Sequence, residues 1–124
     1  MIDESKLVGV GFWIDGVAVP KQSFRYTSKG GGYRDPRVTA WEERVACAAK
    51  EKLAGRAMIA GDLSVQLRFY MPTRRRTDVD NLSKGVLDAI KGILFADDAQ
   101  VVDLHVTKYV DRKQPRVYVA VSNY

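Results

Sequence analysis

Residues 78–94 read DVDNLSKGVLDAIKGIL, and this stretch decides how the rest of the chain can fold. Its apolar residues recur at the 3.6-residue period of an amphipathic helix. The apolar stripe consists of Leu82, Val86, Ala89, Ile90 and Ile93. A helix with one apolar face must bury that face against another element. The pattern therefore predicts a helix over roughly Asn81 to Leu94 that packs on a sheet.

Alternating apolar and polar residues predict the strands of that sheet. Four such stretches occur, at residues 8–14, 63–69, 102–106 and 117–121. Another helix is predicted after the first strand, with Thr39 as N-cap and Glu42 at the capping-box position, ending at Gly55. We therefore predict an α+β fold, with a small mixed β-sheet of about four strands packed by two helices in the order β-α-β-α-β-β. With no repeat or linker, residues 1–124 are expected to form one domain.

The composition, 46% apolar and 28% charged, is that of an ordinary soluble globular protein. A net charge of +5 favours polyanionic partners, although it does not separate nucleic acid from an acidic membrane surface. The polar start of the chain does not resemble a signal peptide, and no apolar run reaches membrane-spanning length. We expect a cytoplasmic protein with no membrane partner. Its one cysteine, Cys47, fits a reducing compartment and is expected to be a small buried packing residue.

Acidic residues flank the predicted helix on both sides. Asp78 and Asp80 precede it, and Asp97 and Asp98 follow it. Carboxylate oxygens are the ligands that magnesium prefers, and a bound cation would relieve the repulsion between clustered carboxylates. The alternative is that one aspartate of the first pair is only the N-cap of the helix and that the second pair only forms a turn.

Lys84 lies one helical turn after Asp80, on the solvent side of the predicted helix. It could form an ordinary i, i+4 ion pair with Asp80 or Asp88, or it could contact a phosphate and stabilise charge in a transition state. Spacing alone leaves the two interpretations open. Asp88 is expected to pair with Lys84 or Lys91.

Basic residues occur in two places that suit contact with a DNA backbone. The run Arg74, Arg75 and Arg76 comes directly before the acidic pair, where phosphate contacts are the stronger interpretation. A polar, glycine-rich loop from Val19 to Pro36, with room for a short hairpin, carries the second group. That group consists of Lys21, Arg25, Lys29 and Arg34, with Tyr26 and Tyr33 between them. These residues could bind the DNA backbone and stack on bases, or they could belong to a solvated loop.

The segment from Arg74 to Val102 closely resembles the RusA family of Holliday junction resolvases, small endodeoxyribonucleases common in prophages. The matching residues are Arg74-Arg75-Arg76, Asp78-Val79-Asp80-Asn81-Leu82, Lys84, Asp88 and Asp97-Asp98-Ala99-Gln100-Val101-Val102. The N-terminal half agrees as well, through Val19-Pro20-Lys21-Gln22, Arg25, Tyr33, Thr39 and Glu42. One difference is Ser23-Phe24, where many relatives have an arginine-proline pair.

Carried over position by position, the resemblance implies that Asp78, Asp80 and Asp98 are the metal-binding catalytic aspartates and that Lys84 is the catalytic lysine. From the residues themselves, the candidate DNA contacts are Lys21, Arg25, Lys84 and the arginine run. The implied enzyme is a homodimer that uses Mg²⁺, with Mn²⁺ as an alternative. It would nick a four-way junction symmetrically and leave 5′-phosphate and 3′-hydroxyl ends, for DNA recombination and repair. Two alternatives stay open: a related nuclease acting on flaps or forks, and a module that binds branched nucleic acid without cutting it.

Overall fold

The computed structural model describes residues 9–21, 25–26, 32–33, 35–75 and 77–124. The helices are α1 (Pro36–Leu53) and α2 (Val79–Ile90), and a short 3₁₀ helix covers Asp98–Gln100. The strands are β1 (Gly9–Asp15), β2 (Arg25–Tyr26), β3 (Gly32–Tyr33), β4 (Leu63–Met71), β5 (Val101–Val110) and β6 (Arg116–Asn123). Apart from the small β2–β3 hairpin inside the glycine-rich loop, this is the predicted β-α-β-α-β-β order.

Four strands form a mixed sheet in the order β1-β6-β4-β5. The pairs β1–β6 and β4–β6 are antiparallel, whereas β4 and β5 are parallel. Parallel neighbours cannot be joined by a tight hairpin and need a crossover, which α2 supplies. The predicted α+β fold with a small mixed sheet is confirmed.

Both helices pack on one face of this sheet. Alternate residues of β4 are buried, from Leu63 to Met71, and they share one core with the apolar faces of α1 and α2. The predicted stripe is confirmed at Leu82, Val86 and Ile90, which have no exposed surface. The helix itself ends at Ile90, earlier than the predicted Leu94, so Ile93 lies beyond it. The opposite face of the sheet holds the intervening residues of each strand. Neither described helix is long and apolar enough to span a membrane.

The first helix begins earlier than predicted. Its N-cap is Asp35, whose carboxylate accepts a hydrogen bond from the Arg37 amide at 2.9 Å, and Pro36 occupies the first helical position. Proline is favoured there because its missing N–H would have no helical partner. The prediction that Thr39 caps the helix was therefore wrong. The helix ends with Ala54 in the left-handed region at φ 54°, one residue before the predicted Gly55.

The predicted burial of Cys47 was also wrong. The buried residues of α1 are Val38, Trp41, Val45, Ala49 and Leu53. Cys47 is two positions after Val45, about 200° round the helix, and so it is exposed to solvent.

The third predicted strand is present as β5, but its helix-facing side is only partly buried. β5 is an edge strand, and on its helix-facing side Leu104 is 42% exposed and Val110 is 45% exposed. The alternation of apolar residues correctly predicted a strand. Burial was not achieved because the strand extends beyond the area that the two helices cover.

We predict that Leu82→Ala destabilises the fold by about 2–5 kcal/mol, because it removes a fully buried side chain from the contact between α2 and the sheet. The matched control is Cys47→Ser on the exposed side of α1, expected within about 0.5 kcal/mol of the wild type. Urea unfolding followed by circular dichroism measures both. Equal midpoints for the two variants would contradict the assigned core.

Candidate metal and DNA site

The first acidic pair lies at the N-terminus of α2. Asp78 is the N-cap: its Oδ1 accepts a hydrogen bond from the Asp80 amide at 3.0 Å, and its backbone carbonyl accepts one from Leu82 at 3.1 Å. The capping interpretation of Asp78 is confirmed. Capping uses one carboxylate oxygen and brings Asp78 and Asp80 together. The positive end of the helix dipole stabilises both negative charges.

Lys84 faces Asp80 one turn along the helix. Its Nζ lies 3.3 Å from Asp80 Oδ2, and both side chains are more than half exposed. An exposed i, i+4 pair contributes only about 0.2–0.5 kcal/mol, so little free energy opposes exchanging this contact for another anion. The ion pair is confirmed, and a phosphate contact by Lys84 stays a prediction.

The two aspartates of the second acidic pair have different contacts. Asp97 caps the 3₁₀ helix by accepting the Ala99 amide at 3.0 Å, and Gln100 completes a capping box by accepting the Asp97 amide at 3.0 Å. The Asp97 carboxylate is therefore used to build the turn. Asp98 points outward and pairs with Lys91, whose Nζ is 3.5 Å from its Oδ2.

Within a single chain, the three aspartates predicted to bind the metal do not lie close together. Asp80 is in the first turn of α2, whereas Asp98 contacts Lys91, the C-cap residue of the same helix. A helix of 12 residues is about 18 Å long, so the two aspartates lie at opposite ends of it. In the part of the chain that the structure describes, no three His, Cys, Asp or Glu side chains form a group that could hold a metal ion.

The arginine run forms part of the link between β4 and α2. Arg74 and Arg75 are exposed, as phosphate contacts would require, while Arg76 lies outside the described residues. Lys108, from the far half of β5, donates from Nζ to the Thr77 carbonyl at 2.7 Å. This contact fixes the segment just before Asp78, and the strand pattern of β5 held no signal that could have revealed it.

Lys21 is tied to α2. Its amide donates to the Asn81 carbonyl at 3.0 Å, and its Nζ is paired with Asp88 and lies 3.9 Å from Glu42. The expectation that Asp88 pairs with Lys84 or Lys91 was wrong, because the chain after β1 returns to this side of the helix.

Most of the other candidates from the basic loop lie outside the described residues. Arg25 and Tyr26 pair with Tyr33 and Gly32 as strands β2 and β3, which confirms the short hairpin, but their side chains are not described. Ser23, Phe24, Lys29 and Arg34 lie outside the described residues.

Comparison with known proteins agrees with the family resemblance of the sequence. The family model described as endodeoxyribonuclease RusA matches residues 15–122. A crossover junction endodeoxyribonuclease RusA of Aquifex aeolicus (strain VF5) is 28% identical over 119 residues, covering 94% of each chain. The protein of that name from Escherichia coli (strain K12) is 34% identical over 106 residues, covering 83% of this chain and 88% of its own. Because the family model and these relatives span nearly all of the fold described above, the chain belongs to the RusA family of endodeoxyribonucleases.

Proposed function

We propose that this protein is a divalent-metal-dependent endodeoxyribonuclease that resolves four-way DNA junctions. The observation that carries the proposal is the placement of Asp78, Asp80 and Lys84 on the first turns of α2, directly after exposed arginines. Relatives that match most of this chain are named crossover junction endodeoxyribonucleases, which supports the choice of substrate.

Asp78 and Asp80 are the proposed metal ligands at the helix N-terminus. The donor set fits Mg²⁺, which takes oxygen ligands and is commonly held by one or two carboxylates together with waters and substrate phosphates. Asp78 keeps one carboxylate oxygen free of the cap, and the Asp80 side chain is 67% exposed. When bound, the ion would supply Lewis-acid activation of the scissile phosphate and of the attacking water.

Lys84 supplies a second positive charge beside the reacting phosphate. In this proposal its ammonium leaves Asp80 and donates to a phosphate oxygen, which stabilises the negative charge that develops during attack. Arg74 and Arg75 hold the neighbouring backbone phosphates, and these contacts position the strand without reading its sequence. Cleavage would leave 5′-phosphate and 3′-hydroxyl ends.

Asp98 reaches this site only from a second copy of the chain. In the proposed homodimer the exposed β5 edges pair antiparallel across a two-fold axis, which places the start of one β5 beside the end of the other. Asp98 comes just before the start of β5, and Lys108 near its end contacts Thr77, next to Asp78. Leu104 and Val110, exposed on this edge, would then be covered.

A two-fold dimer with two such sites matches the near two-fold symmetry of a four-way junction. Each site would combine Asp78 and Asp80 of one subunit with Asp98 of the other. Paired nicks on two strands follow from this arrangement, because the two sites are equivalent.

We predict that Asp80→Asn lowers junction cleavage at least about 100-fold while leaving junction binding within a few-fold, because it removes a charged ligand without changing the shape of the side chain. Glu51→Gln is the matched control, since Glu51 is also an exposed carboxylate but lies in the last turn of α1. Cut mapping on all four strands of a synthetic mobile junction, with Mg²⁺ or with EDTA, measures cleavage. Flap and fork substrates at equal concentration test the choice of substrate. Wild-type cleavage by Asp80→Asn would overturn the assigned role.

Subunit mixing tests the shared site. Asp80→Asn and Asp98→Asn should each be inactive alone, whereas co-expression of the two variants should restore about a quarter of the wild-type number of active sites. Half of the dimers in a random mixture are heterodimers, and each heterodimer keeps one of its two sites intact. The restored activity should make single nicks instead of paired ones. If heterodimers form, as shown by differently tagged chains, and still do not cleave, the three aspartates do not act across the dimer.

A further inference from the structure

An aromatic row crosses the face of the sheet that the two described helices do not cover. It consists of Trp13 on β1, Tyr118 on β6, Tyr70 on β4 and Tyr109 on β5. Ring centroids are 4.9 Å apart for Trp13 and Tyr118, 5.9 Å for Trp13 and Tyr70, and 4.7 Å for the stacked pair Tyr70 and Tyr109. The row therefore spans all four strands without a break.

Two arginines lie against the aromatic row. The Arg116 guanidinium is 4.0 Å from the Tyr70 centroid and 5.3 Å from that of Trp13, and Arg68 is 5.6 Å from that of Tyr118. Arg116 is held in place by hydrogen bonds to Asp111 Oδ2 at 2.9 Å and to the Gln114 carbonyl at 2.8 Å. The hydrogen bond from Arg116, together with the Gln114 amide, lowers the pKa of the Asp111 carboxyl. The guanidinium is thus fixed in position.

The aromatic row lies at the end of the sheet that carries the proposed metal ligands. Tyr70 is the next-to-last residue of β4, and that strand leads through residues 72–77 to Asp78. Tyr109 occupies the matching position in β5, next to Lys108, which binds the Thr77 carbonyl. The proposed metal ligands and Tyr70 and Tyr109 therefore lie toward the same end of the sheet.

Cross-strand packing explains part of the aromatic row. Aromatic pairs on neighbouring strands each contribute about 0.2–1 kcal/mol, and Tyr70 and Tyr118 are largely covered by their neighbours. The two ends differ, because Trp13 is 49% exposed and Tyr109 is 42% exposed. Packing within the sheet does not require large rings with that much surface in solvent.

We propose that this face binds unpaired nucleotides of branched DNA, with bases stacking on Trp13 and Tyr109 and the neighbouring backbone attracted by Arg68 and Arg116. Aromatic rings beside arginines, on a chain of net charge +5, are typical of a surface that binds single-stranded nucleic acid. The aliphatic residues that suit a protein partner, Leu104 and Val110, lie on the other side of β5. The inference rests on the proposed function, since it supplies a second contact for the same substrate.

Tryptophan fluorescence reports directly on the proposed contact. The chain has two tryptophans, and Trp41 is buried at 2% exposure, so a bound base can reach only Trp13. We expect oligothymidylate, added to the full-length protein in EDTA, to quench the exposed component of the emission, and a duplex of equal length to quench it much less.

Substitutions in the aromatic row should weaken binding of the oligonucleotide. Fluorescence anisotropy of labelled oligothymidylate should give a dissociation constant about 5- to 150-fold higher for Tyr109→Ala, the range expected for losing one stacked base. Trp13→Leu should act in the same direction. Tyr124→Ala is the matched control, because Tyr124 is an exposed tyrosine at the C-terminus outside the row and should not change binding.

Three results would overturn this proposal. The first is no quenching of Trp13 fluorescence at saturating oligonucleotide, and the second is unchanged oligonucleotide binding by both Tyr109→Ala and Trp13→Leu. The third is that these two variants change only the oligomeric mass, which would assign the face to a second copy of the chain. All of these measurements are made without metal. Quenching with no junction cleavage in Mg²⁺ would therefore count against the nuclease proposal alone, and cleavage without quenching against the stacking surface alone.

Discussion

Parallel pairing of β4 and β5 is the constraint on which the rest of this structure depends. Because parallel neighbours run in the same direction, the chain must cross from the end of one to the start of the other, and α2 makes that crossing. Residues that follow β4 and residues that precede β5 are consequently held at opposite ends of the domain. Asp78 and Asp98, only 20 positions apart in sequence, are separated by the length of this helix.

The N-terminus of α2 combines structural and chemical roles in the same side chains. Asp78 closes the first turn through one oxygen, and Asp80 benefits from the helix dipole while it pairs with Lys84. These interactions place two carboxylates and an ammonium close together and exposed to solvent at little energetic cost. A capping residue and a proposed metal ligand are therefore not alternatives at Asp78, because a carboxylate has two oxygens.

The two-layer architecture leaves two surfaces of different chemistry. Aliphatic side chains are exposed along the β5 edge, whereas aromatic rings and arginines occupy the face opposite the helices. Edge strands with exposed aliphatic residues favour pairing with another chain, and rings beside guanidinium groups favour nucleobases. One small domain thus has separate surfaces suited to a second subunit and to DNA.

The sequence by itself determined the elements and the chemistry of the candidate site. Strict alternation and the 3.6-residue stripe of α2 are local patterns, and the motif from Asp78 to Lys84 lies within two helical turns, so neither needs long-range information. Only the tertiary structure decided which strands pair, that Lys21 binds Asp88, and that Lys108 binds the Thr77 carbonyl. These features depend on strand order and direction, which a pattern of residues along one chain does not encode.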